Sequence, residues 1–181
     1  MKHTGDPQAP AQLAIILGAE CSGKTTLCEA IALRLAAPLA PEYLRAWCER
    51  EGRSPDRYEQ RHVMAGQLVL TRAALRQARA NRARWVLSDG SPLLTAAYSI
   101  EYFNDDSLVE SGLRHAKRAA RILLLDPEIA WQADGRLRDG PARRQSVHRI
   151  LVELMQKARL AHHMISGAPA KRIRDSLALL R

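Results

Sequence analysis

Short apolar runs alternate along the chain with longer stretches in which apolar residues recur at helical spacing. Leu13-Ala14-Ile15-Ile16-Leu17 is continuous and uncharged, which predicts a strand buried on both faces. Lys24 to Ala36 follows, with Leu27, Ile31 and Leu35 on one helical face. Pro38 to Glu42 is extended, because prolines bias their neighbours away from helix, and it places Glu42 at the end of a short second strand; a short helix then runs to about Arg50. Ser54 as N-cap with Pro55 at the first helical position predicts a long helix that carries Met64, Leu68, Thr71, Leu75 and Ala78 as its stripe. Trp85-Val86-Leu87-Ser88-Asp89 is a third strand, followed by a Gly90-Ser91-Pro92 break and a helix from Leu93 to about Phe103. A helix over Leu108 to Ala119, a fourth strand over Arg121 to Asp126, a helix over Val147 to Arg159, a short strand at His162 to Ile165 and a closing helix over Ala168 to Leu180 complete the series. Strands alternating with helices predict an α/β layer built on a parallel sheet. Met1 to Gln12 is polar and proline-containing and reads as a frayed tail, which leaves 13–181 as one domain.

Charge narrows the function class without choosing within it. Lys plus Arg number 28 against 19 Asp plus Glu, a net +9. That balance suits an anionic ligand such as a nucleotide, and no RNA- or DNA-binding module signature argues for nucleic acid. No apolar run is long enough to span a membrane, and the N-terminus lacks the apolar core of a signal peptide. Three cysteines, odd in number and without metal-ligand spacing, fit free thiols and a cytoplasmic location. A homo-oligomer is compatible with the sequence.

The chemistry concentrates at the end of the first strand. Gly18-Ala19-Glu20-Cys21-Ser22-Gly23-Lys24-Thr25-Thr26 matches the phosphate-cradling pattern G-x-x-x-x-G-K-[ST] in the strand–loop–helix setting that the pattern needs. Gly18 and Gly23 let the backbone turn so that successive N–H groups point at a polyphosphate, and the new helix adds the positive end of its dipole. Glu20, Cys21, Ser22 and Thr26 complete this expected ATP-binding segment. Lys24 would lie against the β- and γ-phosphates and Thr25 would offer its hydroxyl to Mg²⁺. Asp89, an acid closing an apolar strand downstream of such a loop, is the expected second magnesium group.

Farther along, Trp131 to Arg144 is rich in glycine and arginine and poor in core residues, as a mobile lid would be; Arg136, Arg138 and Arg143 would close from it over the transferring phosphoryl group. The aromatic residues are few. Only Trp85 sits on a strand, whereas Tyr43, Trp47, Tyr58, Tyr98, Tyr102, Phe103 and Trp131 fall in or near segments that follow strand ends, where they could stack on a flat ring. His62, His115, His148 and the pair His162-His163 have no partners at metal spacing and read as structural or surface residues.

Together these residues resemble the ribosylnicotinamide kinase domain of the bacterial NadR proteins and their single-domain AAA-family relatives. The phosphate loop has the form G-x-E-x-S-G-K-[ST]-T-L from Gly18 to Leu27, and Pro41-Glu42-Tyr43-Leu44-Arg45 is similar to an E-Y-x-R box. Ser88 to Thr95 resembles the family's acid-ended strand, and Leu125-Asp126-Pro127 with Trp131, Asp134, Gly135 and Arg138 resembles its W-x-x-D-G-x-R lid. Cys21 stands where serine is usual, Gly90 and Ser91 replace a common Thr-Asp, and the lid has an extra residue before Arg138. The resemblance implies a P-loop kinase fold, five parallel strands in the order 2-3-1-4-5. It also implies transfer from ATP, with Mg²⁺, to the 5′-hydroxyl of nicotinamide riboside or a related nucleoside. Glu42, Tyr43, Arg45, Trp47, Tyr98 and Trp131 would contact that acceptor, Glu42 as base or ribose ligand; Lys24, Asp89, Arg136 and Arg138 would serve the transfer. No H-x-G-H adenylyltransferase motif accompanies it, which restricts the expectation to the kinase step. Two other readings stand beside it: a regulatory ATPase acting as a nucleotide-dependent switch, and a basic NTPase associated with nucleic acid.

Overall fold

The computed structural model describes residues 10–127 and 140–181. The expected lid residues Trp131, Arg136 and Arg138 lie outside these, as do 1–9 of the expected tail. Strands β1 (Gln12–Leu17), β2 (Leu39–Ala40), β3 (Trp85–Asp89), β4 (Arg121–Leu125) and β5 (His163–Ile165) form one sheet in the order β2-β3-β1-β4-β5, every pair parallel. Helices α1 (Lys24–Leu35), α2 (Tyr43–Glu51), α3 (Gln60–Asn81), α4 (Pro92–Phe103), α5 (Val109–Ala116), α6 (Pro141–Lys157) and α7 (Pro169–Leu179) connect them.

The apolar runs have no polar face because both faces of the sheet are covered. Leu13, Ile15 and Leu17 join Val86, Ile122 and Leu124 in one core with residues of α3, α4 and α6. The alternate residues Ala14, Ile16, Leu87, Leu123 and Leu125 pack on the other side against Leu27, Cys28 and Ile31 of α1 and the partly buried Ile173 and Leu177 of α7. Each strand feeds both cores by its period of two. The register sets Ile16 beside Asp89 and Ala40 beside Ser88, so the segments that begin at Gly18, Pro41 and Gly90 leave the sheet along one edge. In a parallel sheet that edge is the ligand crevice.

Several boundaries differ from the sequence expectation, and three of them have a readable cause. α3 starts at Gln60, not at Pro55. The Asp56 carboxylate accepts the N–H groups of Tyr58 (2.8 Å) and Glu59 (2.9 Å), and Glu59 in turn pairs with Arg53 (2.6 Å), a side-chain-closed turn that competes with helix. α6 starts at Pro141, not Val147, with Gly140 at φ 93 before it and proline at the first helical position. Arg143 therefore belongs to a helix, although the glycine–arginine composition had put it in the lid. Finally, Gln12 opens β1 instead of closing the tail, its N–H bound to Arg84 O at 2.8 Å.

Candidate active site

The loop between β1 and α1 is closed by its own side chains. Ser22 Oγ donates to Ala19 O (2.8 Å), and Lys24 Nζ reaches back to the same carbonyl (3.2 Å). Gly18 has no room for a side chain, since a Cβ there would stand 2.5 Å from Ser22 Oγ and 3.2 Å from Leu125 Cβ. Gly23, at φ 81, is the N-cap of α1, whose first-turn N–H groups face the loop. Arg172 of α7, 3 % exposed, holds the loop from outside: Nη1 donates to Ser22 O (2.8 Å), Nη2 to Asp126 O (3.1 Å) and Nε to Gly167 O (2.7 Å). One guanidinium thus ties the loop to the ends of β4 and β5.

Thr25 and Asp89, separated by 64 positions in the chain, meet: Thr25 Oγ1 donates to Asp89 Oδ2 at 2.6 Å. Asp89 is 2 % exposed, and its Oδ1 is buried without a partner. A buried carboxylate with an unused oxygen beside a threonine hydroxyl fits a hard cation held by oxygen. Among the described residues no cluster of three His, Cys, Asp or Glu side chains could hold an ion alone. An ion at Thr25 and Asp89 would therefore draw its remaining ligands from water and phosphate. Asp89 lies behind Thr25 and is not part of the cavity wall. Burial, then the Asp89 carboxylate, pushes the Cys28 thiol up, so Cys28 is a protonated core residue.

A cavity of about 730 Å³ opens in front of the loop. Glu20, Cys21, Ser22, Gly23, Lys24, Thr25 and Thr26 form one wall, and Pro169, Arg172 and Ile173 continue it on the α7 side. The rest of the lining comes from Glu42, Arg45 and Glu49 around α2, Gln60 of α3, and Tyr98, Tyr102 and Phe103 of α4. The rings run in a row, Tyr98 to Tyr102 at 6.1 Å between centroids and Tyr102 to Phe103 at 6.4 Å. Burial, then the Glu42 carboxylate, holds the Tyr98 phenol well above its ordinary range, so a protonated hydroxyl stands near a carboxylate. Arg143 lies over the Tyr102 ring (5.3 Å) and pairs with Glu101 (2.7 Å), which also accepts from Ser146, so it is bound to α4.

Of the aromatic candidates, the structure brings Tyr98 to the cavity and leaves Tyr43 and Trp47 off its wall. Trp47 is 5 % exposed, packed with Cys48 and Val63 beneath the Arg53 guanidinium, and the Tyr43 ring lies against Gly66 of α3. Both sit on α2, but its turn points them at α3. Tyr102 and Phe103 take their place, and the i, i+4 spacing of Tyr98 and Tyr102 was the readable signal. Arg172 had none; it was one basic residue among 28.

The model of an AAA domain family matches residues 13–172. No curated protein matches the chain. Among solved structures, a NadR protein in complex with NAD and AMP-PNP is similar over 94 % of this chain with a TM-score of 0.76 at 19 % identity. A NadR protein in complex with NR gives 0.75 at 18 % identity over 94 %. The chain spans about half the length of these two, 49 % and 50 %. Thymidylate kinase from Ehrlichia chaffeensis is similar over 96 % of this chain and 100 % of its own, with a TM-score of 0.63 at 14 % identity. These likenesses establish the P-loop kinase fold.

Proposed function

This chain belongs to the AAA domain family, and on that premise we propose that it is an ATP-dependent phosphotransferase. Its acceptor is the 5′-hydroxyl of a nucleoside, of which nicotinamide riboside or a related ribosyl compound is the leading candidate. The observation that carries the reading is one cavity with two unlike parts to its lining: a phosphate loop backed by the Thr25–Asp89 contact (2.6 Å), and a carboxylate, Glu42, with a row of aromatic rings.

Phosphoryl transfer asks for positioning and charge neutralisation more than for covalent chemistry. The loop amides and Lys24 hold the β- and γ-phosphates; Lys24 exchanges its bond to Ala19 O for phosphate oxygens. Thr25 and Asp89 would hold Mg²⁺, which when bound supplies positive charge to the phosphate oxygens. Glu42 receives the acceptor hydroxyl as a hydrogen-bond donor and takes its proton as the oxygen attacks the γ-phosphorus in line. The bond from that phosphorus to the bridging oxygen breaks, and ADP leaves with its electron pair. Tyr98 and Tyr102 offer faces to a flat, cationic ring. Arg136 and Arg138 are proposed to close from the lid, which lies outside the described residues.

The test is ADP release from MgATP with and without nicotinamide riboside and a nucleoside panel, with Lys24→Ala as the blank. Stimulation by one nucleoside, with its monophosphate identified by mass, is the expected result. A slow rate that no nucleoside raises would replace the kinase with the regulatory ATPase. Glu42→Gln is expected to lower acceptor-dependent turnover about 10²-fold while nucleotide still binds; unchanged turnover removes Glu42 from the mechanism.

A further inference from the structure

Gln67 is 3 % exposed, on α3, and is not on the cavity wall. Its side-chain amide makes three hydrogen bonds. Oε1 accepts the backbone N–H of Tyr43 (2.8 Å), while Nε2 donates to Pro41 O (3.2 Å) and to Ser88 Oγ (3.4 Å). Pro41 and Tyr43 are the two chain neighbours of Glu42. Ser88 precedes Asp89, and its hydroxyl donates to the carbonyl of Gly90, the residue after Asp89, at 2.9 Å. One amide therefore straddles both acids, through backbone atoms on either side of Glu42 and through the Ser88 hydroxyl beside Asp89. Thr71, a turn farther along α3, donates to Gln67 O (2.8 Å) and lies 3.4 Å from Ser88 Oγ, which adds a second polar contact between α3 and β3.

β1 fixes the Ser88–Gly90 segment, with Gly90 N–H on Ile16 O at 3.0 Å, whereas the last backbone tie to β3 before Glu42 is at β2, where Leu87 N–H also donates to Pro38 O at 3.0 Å. β2 pairs with β3 over only Leu39 and Ala40, and the chain has left the sheet before it reaches Glu42. Glu42 is also the N-cap of α2, with no side-chain cap bond, so its carboxylate is free to face the cavity. An amide suits the junction because it offers one acceptor and two donors in a plane, and all three are used. A carboxylate could not donate to Pro41 O, and an apolar side chain would leave a buried N–H and a carbonyl unpaired.

We propose that Gln67 is a positioning residue: it fixes Glu42 relative to Asp89, and so sets the rate of transfer to the acceptor without touching nucleotide or acceptor. The proposal rests on the phosphotransferase reading, with Glu42 serving the acceptor hydroxyl.

The test is a double-mutant cycle on the full chain with Gln67→Met and Glu42→Gln. It reads ADP release with the best nucleoside of the panel, together with the affinity for a fluorescent ATP analogue and amide hydrogen exchange; the absence of any stimulating nucleoside overturns the phosphotransferase reading and this proposal with it. Gln67→Met is expected to lower turnover at least tenfold, with nucleotide affinity within twofold. Exchange should quicken at 41–44 and 88–90 and stay unchanged at 18–26. In the Glu42→Gln background the same substitution should change turnover less than twofold, because the group it positions is already gone. Losses that multiply in the double variant, or retained turnover in Gln67→Met while Glu42→Gln is impaired, overturn this proposal alone. Full turnover in Glu42→Gln overturns the reading of Glu42 and this proposal with it. If Gln67→Met does not fold, Gln67→Glu replaces it, since it keeps the acceptor for Tyr43 N–H and loses the donor to Pro41 O; the same outcomes decide.

Discussion

At the phosphate-loop end of the cavity, one unbroken stretch from Glu20 to Leu27 supplies most of the wall, and the bonds from Ser22 and Lys24 to Ala19 O close within a few residues. At the proposed acceptor end, Glu42, Gln60, Tyr98 and Tyr102 come from the start of α2, the start of α3 and the second half of α4. The first end is local and largely made when the strand and helix form. The second exists only after three helices dock, and its alignment depends on buried polar ties such as that of Gln67. Damage at the phosphate end should therefore abolish turnover through the loss of one group. Damage at the acceptor end should be graded and should depend on which neighbour is altered.

The most severe test of this contrast is Lys24→Ala, expected to lower turnover about 10³-fold or more by removing the charge beside the transferring group. ADP release measures it, and a loss below tenfold would mean that the loop is not the centre of the chemistry. Asp89→Asn follows, at about 10²-fold, with a raised magnesium requirement, because the amide can still accept from Thr25 but brings no charge. A magnesium titration of ADP release is the readout, and an unchanged requirement would separate Asp89 from the ion. Gly90→Ala probes the join between the two ends. Its φ of +80 costs a side chain about 1–2 kcal/mol, although the added Cβ would meet only Leu94 Cδ2 at 3.5 Å and Glu42 Oε1 at 3.9 Å. A thermal melt should show that loss, with turnover reduced more than nucleotide affinity. Cys21→Ser closes the series with an effect within twofold on nucleotide affinity, since the thiol makes way for a hydroxyl of similar size on a loop held by Ser22 and Arg172. A larger change in a binding titration would give Cys21 a role of its own.

The strands were readable because a parallel sheet buries both faces and writes itself as uninterrupted apolar runs; β1 and β3 come out within a residue of their expected ends. Helix starts were less readable. At Ser54-Pro55 the capping signal points to the wrong place, because Asp56 and Glu59 close a turn before the helix begins. At Pro141 a helix was hidden inside a glycine–arginine composition that resembles a loop. The place of Tyr43 and Trp47 in the chain, after a strand end, points to the cavity. Which side of α2 faced the cavity was set by its docking on α3, and that docking buries Trp47 with Cys48 and Val63.

The sequence by itself determined the phosphate loop, because a backbone cradle needs glycines, a lysine and a threonine at fixed spacing along one stretch of chain. It also determined the two-faced strands, since periodicity and burial are properties of short segments. Only the tertiary structure decided that Thr25 and Asp89, both expected at one magnesium ion, bond to each other directly, that Arg172 clamps the loop from the last helix, and that Gln67 straddles the two acids. Those contacts join residues far apart in the chain, and their energy depends on buried geometry that no local pattern encodes.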